Sequence, residues 1–182
     1  ADSRTSSGSY VVNRASDKIT SVADNIYVCR SGSAADTQVL TDYVRHYIKL
    51  HSLELGEEPE VKVAANLFRM MAYHNKNHLM AGLIVAGYDA RHGPSVYNIS
   101  LGGAVCEQPL AAGGSGSTYI FGFLDSNYRP DFTREECEKF VATAISLAIH
   151  RDGSSGGVCR LLTVNKDGAT RTLIKGNELA RW

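Results

Sequence analysis

Apolar residues fall in short runs at the start of the chain, then switch to a spacing of three and four. Tyr10-Val11-Val12 and Asn25-Ile26-Tyr27-Val28-Cys29 are runs bounded by Ser, Gly and Asp, and they predict strands. Beyond Ser33, the side chains of Val39, Leu40, Val44, Tyr47 and Ile48 line one face of a predicted helix. Ser33 is its cap, because a serine oxygen accepts from the unpaired amides of a first turn. Gly56 and Pro59 punctuate, and a second helix follows through Val63, Leu67, Met70 and Met71. Two consecutive helices joined by a short connection are expected to lie antiparallel.

Strands are next expected over residues 81–87, 95–101 and 106–112, with glycine-rich turns between them. A third helical stretch is predicted over 115–128. Thr133-Arg134-Glu135-Glu136 has the form of a capping box: the threonine bonds the amide three residues on, and Glu136 reaches back. The helix it starts carries Phe140, Ala144, Leu147 and Ala148 and ends at Asp152-Gly153. Residues 158–165 and 170–175 then pair around Lys166-Asp167-Gly168, an Asp-Gly hairpin turn.

The helices arrive in pairs between groups of strands, unlike the one-for-one alternation of a parallel βαβ fold. Two antiparallel sheets with helix pairs outside them satisfy this order. The expected fold is therefore α+β, a four-layer αββα sandwich. The 182 residues suit a single domain, 1–182, with no repeat, linker or low-complexity tract.

Composition narrows the function classes. Lys+Arg and Asp+Glu both total 19, so the formal net charge is zero, which gives no electrostatic footprint for nucleic acid or an anionic membrane. No apolar run reaches the ~20 residues of a membrane-spanning helix. The polar start shows no signal peptide, which predicts the cytoplasm and nucleus. Cys29, Cys106, Cys137 and Cys159 stand far apart without a CxxC pair and are expected to be reduced, mostly buried thiols. Gly113-Gly114-Ser115-Gly116-Ser117 lacks the Gly-Lys-Ser/Thr ending of a phosphate loop. His74 and His78 have a zinc-compatible spacing but no HExxH glutamate and no evident third ligand. Neither a metal nor an organic cofactor is expected.

Several motifs stand out together. They are Ala1-Asp2-Ser3-Arg4-Thr5, Asp17-Lys18, Cys29-Arg30-Ser31-Gly32-Ser33-Ala34-Ala35-Asp36, the glycine loop at 113–117, and Arg151-Asp152-Gly153-Ser154-Ser155-Gly156-Gly157. With them the chain resembles, over essentially its whole length, the catalytic beta subunits of the eukaryotic proteasome. Among these it is most similar to the caspase-like, post-acidic (beta type 1) kind of the 20S core. The resemblance implies the N-terminal nucleophile hydrolase fold and threonine-type endopeptidase activity.

A threonine hydroxyl is a weak nucleophile until a base takes its proton, and a free α-amino group, with a pKa near 8, can serve. The resemblance makes Lys18 the ammonium beside the threonine oxygen and Asp2 the carboxylate that orients it. Gly32 becomes the backbone donor to the oxyanion. Ser115, Asp152 and Ser155 become the group around the threonine's amino nitrogen. Arg30 falls at the base of the pocket for the residue before the cut bond, where a guanidinium would pair with Glu or Asp. Thr5, Ser6, Ser16 and Ala34 fall at other cleft positions; Thr5 and Ser6 would pair with an extended peptide as an added strand.

One departure is expected to matter. The family's mature chain begins with threonine and about 15 residues of strand, turn and strand that this sequence does not contain. As written, with its first strands missing, the chain is expected to lack its nucleophile. The implied partners are other beta subunits in a heptameric ring, alpha-ring subunits, and unfolded polypeptide substrates of protein degradation. The rival expectation is a non-catalytic structural subunit of the same ring. Retention of Asp2, Lys18, Gly32, Ser115, Asp152 and Ser155 together favours the enzyme.

Overall fold

The computed structural model describes residues 1–180. Its elements run β1 (Thr5–Ser7), β2 (Tyr10–Asn13), β3 (Ile19–Ala23), β4 (Ile26–Gly32), α1 (Ala34–Leu55), α2 (Val61–His74), β5 (Ala81–Asp89), β6 (Gly93–Ile99) and β7 (Val105–Glu107). A 3₁₀ turn (Ser115–Tyr119), α3 (Phe121–Asn127), α4 (Arg134–Arg151), β8 (Cys159–Asn165) and β9 (Gly168–Ile174) follow. The described residues form two compact units.

One unit comprises Ile19–Gly113 and Val164–Ala169. Its sheet has the order β3-β4-β5-β6-β7, and every neighbouring pair is antiparallel. Alternate residues of β5 are buried, as period-2 geometry demands, and Leu83 and Val85 pack among Val28, Ile99, Val44, Ile48 and Phe68. Each such side chain contributes roughly 1.5–3 kcal/mol by leaving water. Helix α1 packs on β3 and β4, and α2 on β5 and β6.

The capping serine is where the sequence predicts it: Ser33 Oγ accepts from Asp36 N at 3.3 Å, and Gly56 closes α1 in the left-handed region at φ 68°. Two of the expected inward positions are different. Leu40, Val44 and Ile48 are buried, but Val39 and Tyr47 are exposed, so the core face of α1 is narrower than the apolar pattern suggests. On α2 the buried side is Val61, Ala64, Ala65, Phe68 and Ala72, and Met70 is exposed.

The other unit comprises Ala1–Lys18, Gly114–Thr163 and residues 170–180. It holds the β1–β2 hairpin, turned by Gly8 at φ 59°, and the helices α3 and α4. The α4 capping box is complete: Glu136 N donates to Thr133 Oγ1 at 3.3 Å, and Thr133 N to Glu136 Oε2 at 2.8 Å. Phe140 stacks on Phe123 and touches Tyr128 and Phe132, which fixes α4 against α3 and the loop after it. A second apolar cluster gathers Cys159, Leu161 and Leu179 with Val141, Ile145, Ile149 and Ile174.

Three expectations change in detail. The strand expected over 106–112 is only Val105–Glu107, and the helix expected over 115–128 is split at Ile120 into a 3₁₀ turn and α3. The four cysteines are free, yet only Cys159 is buried; Cys106 and Cys137 are exposed. Among the described residues no helix is long and apolar enough to cross a membrane.

Candidate active site

The chain enters the first site along an anchored extended segment that precedes β1. Ala1 and Arg160 exchange backbone hydrogen bonds, both 2.8 Å, which fixes the residue before Asp2. Ser3, fully buried, is the next anchor. Its Oγ donates to Arg14 O at 2.5 Å and accepts from Val158 N at 2.9 Å, while its backbone N donates to Gly156 O and its carbonyl accepts from Ser16 N. Gly157 lies against it at φ 84°, and a Cβ there would collide with Ser3 Oγ and the Arg14 carbonyl. Three segments of the unit are thus tied at one hydroxyl.

Those ties position a carboxylate. Asp2 Oδ1 receives Lys18 Nζ at 2.6 Å, and Asp2 Oδ2 accepts from Arg4 N at 3.1 Å and Gly156 N at 3.0 Å. Both oxygens are occupied, so Asp2 cannot rotate away from the lysine. The pair is largely sheltered, with Lys18 25% and Asp2 14% exposed at the side chain.

Asp152, the residue that ends α4, gathers the second group. Its Oδ2 accepts from Ser115 Oγ and Ser155 Oγ, both at 2.6 Å, and its Oδ1 from Ser154 N at 3.0 Å. Burial pushes the Asp152 carboxyl up most strongly. The Ser115 and Ser155 hydroxyls, the Ser154 amide and the charge of Lys18 together outweigh it, and the carboxyl sits below the ordinary carboxylate range. Each serine has donated its only proton, so both oxygens are left as acceptors, matched to an N–H donor such as an amine. Gly116 keeps this corner tight, because a Cβ there would press within 3.0 Å of Ser155 Oγ and Ala148 Cβ.

Asp2, Lys18, Ser115, Asp152 and Ser155 are therefore brought together within one unit. Thr5, Ser6 and Ser16 belong to it too. Thr5 on β1 and Ser16 beyond β2 share a hydrogen bond of 2.6 Å between hydroxyls, and Ser6 pairs with Val11. The β1–β2 register shifts between Thr5 and Ser6.

The other unit carries Arg30, Gly32 and Ala34. Gly32 ends β4 at φ 97°, opposite Ala81, and a Cβ at that position would collide with the Met80 carbonyl. Only glycine meets both demands. Arg30, two residues earlier on β4, donates from Nε to Thr20 Oγ1 at 2.9 Å and from Nη1 to Thr37 Oγ1 at 3.3 Å. Ala34 is the first residue of α1, and its carbonyl accepts from Thr37 Oγ1. Ser33 serves as the cap, while His74 Nδ1 bonds the Met70 carbonyl of its own helix.

A family model described as "Proteasome subunit" matches residues 1–164. The chain belongs to the proteasome subunit family. It is 57% identical over 182 residues to "Proteasome subunit beta type-6" of Dictyostelium discoideum, covering all of this chain and 85% of that protein. Its identity to "Proteasome subunit beta type-6" of Arabidopsis thaliana is 56% over 182 residues, or 78% of that protein. "Probable proteasome subunit beta type-1" of Schizosaccharomyces pombe is 53% identical over 171 residues, 94% of this chain and 76% of that one. Relatives named beta type-9 match as well.

The chain is thus a proteasome beta subunit, a class that assembles with other beta and with alpha subunits in the 20S core particle. The α+β content, antiparallel sheets and four α-helices of the described residues agree with the N-terminal nucleophile hydrolase sandwich of this family. Sequence reading does not single out Ser3, Thr20, Thr37 or Gly116. A polar side chain that will be buried carries no periodic signal; the double glycine 156–157 beside Ser3 is the nearest hint.

Proposed function

We propose that this beta subunit is a threonine-type endopeptidase that cuts peptide bonds after acidic residues. The observation that carries the reading is Asp152: a sheltered carboxylate holds two serine hydroxyls as acceptors, within the influence of Lys18, which Asp2 holds at 2.6 Å. The nucleophile is a threonine outside the 182 residues.

In the proposed reaction the threonine hydroxyl proton passes to its own α-amino group as Oγ attacks the peptide carbonyl carbon. Ser115 and Ser155 accept from that amino group and hold it toward the hydroxyl. Lys18 stabilises the oxygen as it loses its proton. The Gly32 N–H receives the carbonyl oxygen as it becomes an oxyanion. The C–N bond then breaks, and the proton moves from the ammonium to the leaving amine. Water hydrolyses the resulting ester by the same base and restores the threonine. Arg30 supplies the preference for Glu or Asp by pairing with its carboxylate.

Assembled particles containing this subunit should hydrolyse peptides with Glu or Asp before the cut, and replacing Arg30 by Met should weaken that preference more than it weakens other cuts. Unchanged selectivity would remove the pocket assignment. N-terminal sequencing of the mature subunit should give threonine. Another residue there would favour a non-catalytic ring subunit.

A further inference from the structure

Arg30 is oriented by a relay of hydroxyls. Thr20 Oγ1 on β3 accepts from Nε at 2.9 Å, and Thr37 Oγ1 in α1 accepts from Nη1 at 3.3 Å. The Thr37 hydroxyl is itself fixed by the helix: it donates to Ser33 O at 2.9 Å and Ala34 O at 3.2 Å. With its one proton committed to the backbone, Thr37 Oγ1 can face a cation only as an acceptor. Thr37 is 1% exposed, which bars water from taking its place.

An ammonium is a point charge, but a guanidinium recognises a carboxylate through a planar fork, so its plane must be set. A hydroxyl that accepts from one N–H of the guanidinium sets that plane, and two such hydroxyls on different elements set it doubly. We propose that Thr37, assisted by Thr20, is a positioning residue that fixes the Arg30 guanidinium for an acidic substrate side chain. This rests on the reading of Arg30 given above. The two threonines lie on different elements, β3 and α1, both of which pack against the β4 strand that carries Arg30.

The test compares particles carrying Thr37→Val, Thr37→Ser, Thr20→Val or Arg30→Met, using one peptide with Glu and one with Leu before the cut. Thr37→Val keeps the volume and removes the acceptor, and should raise KM for the Glu peptide about three- to tenfold with kcat little changed. Thr37→Ser should restore it, and the Leu peptide should be indifferent. An effect of Arg30→Met without one of Thr37→Val overturns the positioning role and leaves the Arg30 assignment standing. No effect of Arg30→Met overturns both. Equal loss of kcat on the two peptides marks a merely structural threonine and also overturns the proposal. If Thr37→Val blocks assembly, Thr20→Val is judged by the same criteria.

Discussion

Ser115 donates its hydroxyl proton to Asp152 at 2.6 Å across a sequence separation of 37 residues. Ser155 donates to the same oxygen at the same distance. One carboxylate therefore decides which way both hydroxyls point, and it leaves two acceptor oxygens beside each other.

Asp152→Asn should disable this arrangement. An amide has one oxygen and an NH2, so it cannot accept from two hydroxyls and from Ser154 N together. Peptide hydrolysis by particles carrying the variant should fall by about 10²-fold or more, the usual worth of placed proton transfer. A rate within a few fold of wild type would show that Asp152 does not organise the base.

The same carboxyl sets an acid limit. Its folded pKa lies below the unfolded value, so its contribution to stability is present above about pH 4 and is lost as pH falls through the folded value. Acid unfolding monitored by circular dichroism should be less steep below pH 4 in Asp152→Asn than in wild type. Parallel curves would contradict the direction of the shift.

Asp89, almost fully buried, closes the start of α2 from the β5–β6 turn. It accepts from Val61 N at 3.1 Å, Arg91 N at 3.1 Å and His92 N at 2.7 Å, in place of a side-chain cap from Glu60. Burial raises its carboxyl most, but these amides and the nearby His92 hold it below the ordinary range. Asp89→Ala should cost about 1–3 kcal/mol, read as a lower midpoint in denaturant, without altering substrate selectivity.

Gly32→Ala faces both a positive φ of 97° and the Met80 carbonyl. Relief requires the end of β4 to shift, so the variant should lose more than about 2 kcal/mol or fail to assemble. Native-gel incorporation beside wild type measures it. An unperturbed, fully active particle would refute the close approach.

Local chemistry made parts of this fold legible. Ser33 and the Thr133–Glu136 box act within one turn, so their neighbours in sequence are their partners in space. Strand β3 escaped because it does not alternate: Ile19 and Val22 are its buried residues, and the register shifts between Ser21 and Ala23. A bulge of that kind erases period two. Strand β7 stops short of Pro109, which has no N–H to offer a ladder. At the site, Asp2 and Lys18 were legible only through resemblance, since isolated charges have no pattern. Thr37 was hidden because a threonine within a helix gives no sign that its hydroxyl will meet an arginine from a strand.

The most direct measurement uses an electrophilic peptide with glutamate beside its reactive group. Intact particles are treated with it, and the adduct is mapped by mass spectrometry. The proposed activity predicts an adduct on an N-terminal threonine of this subunit, blocked by excess Glu peptide and weakened by Arg30→Met. Labelling of other subunits with none on this one would contradict it.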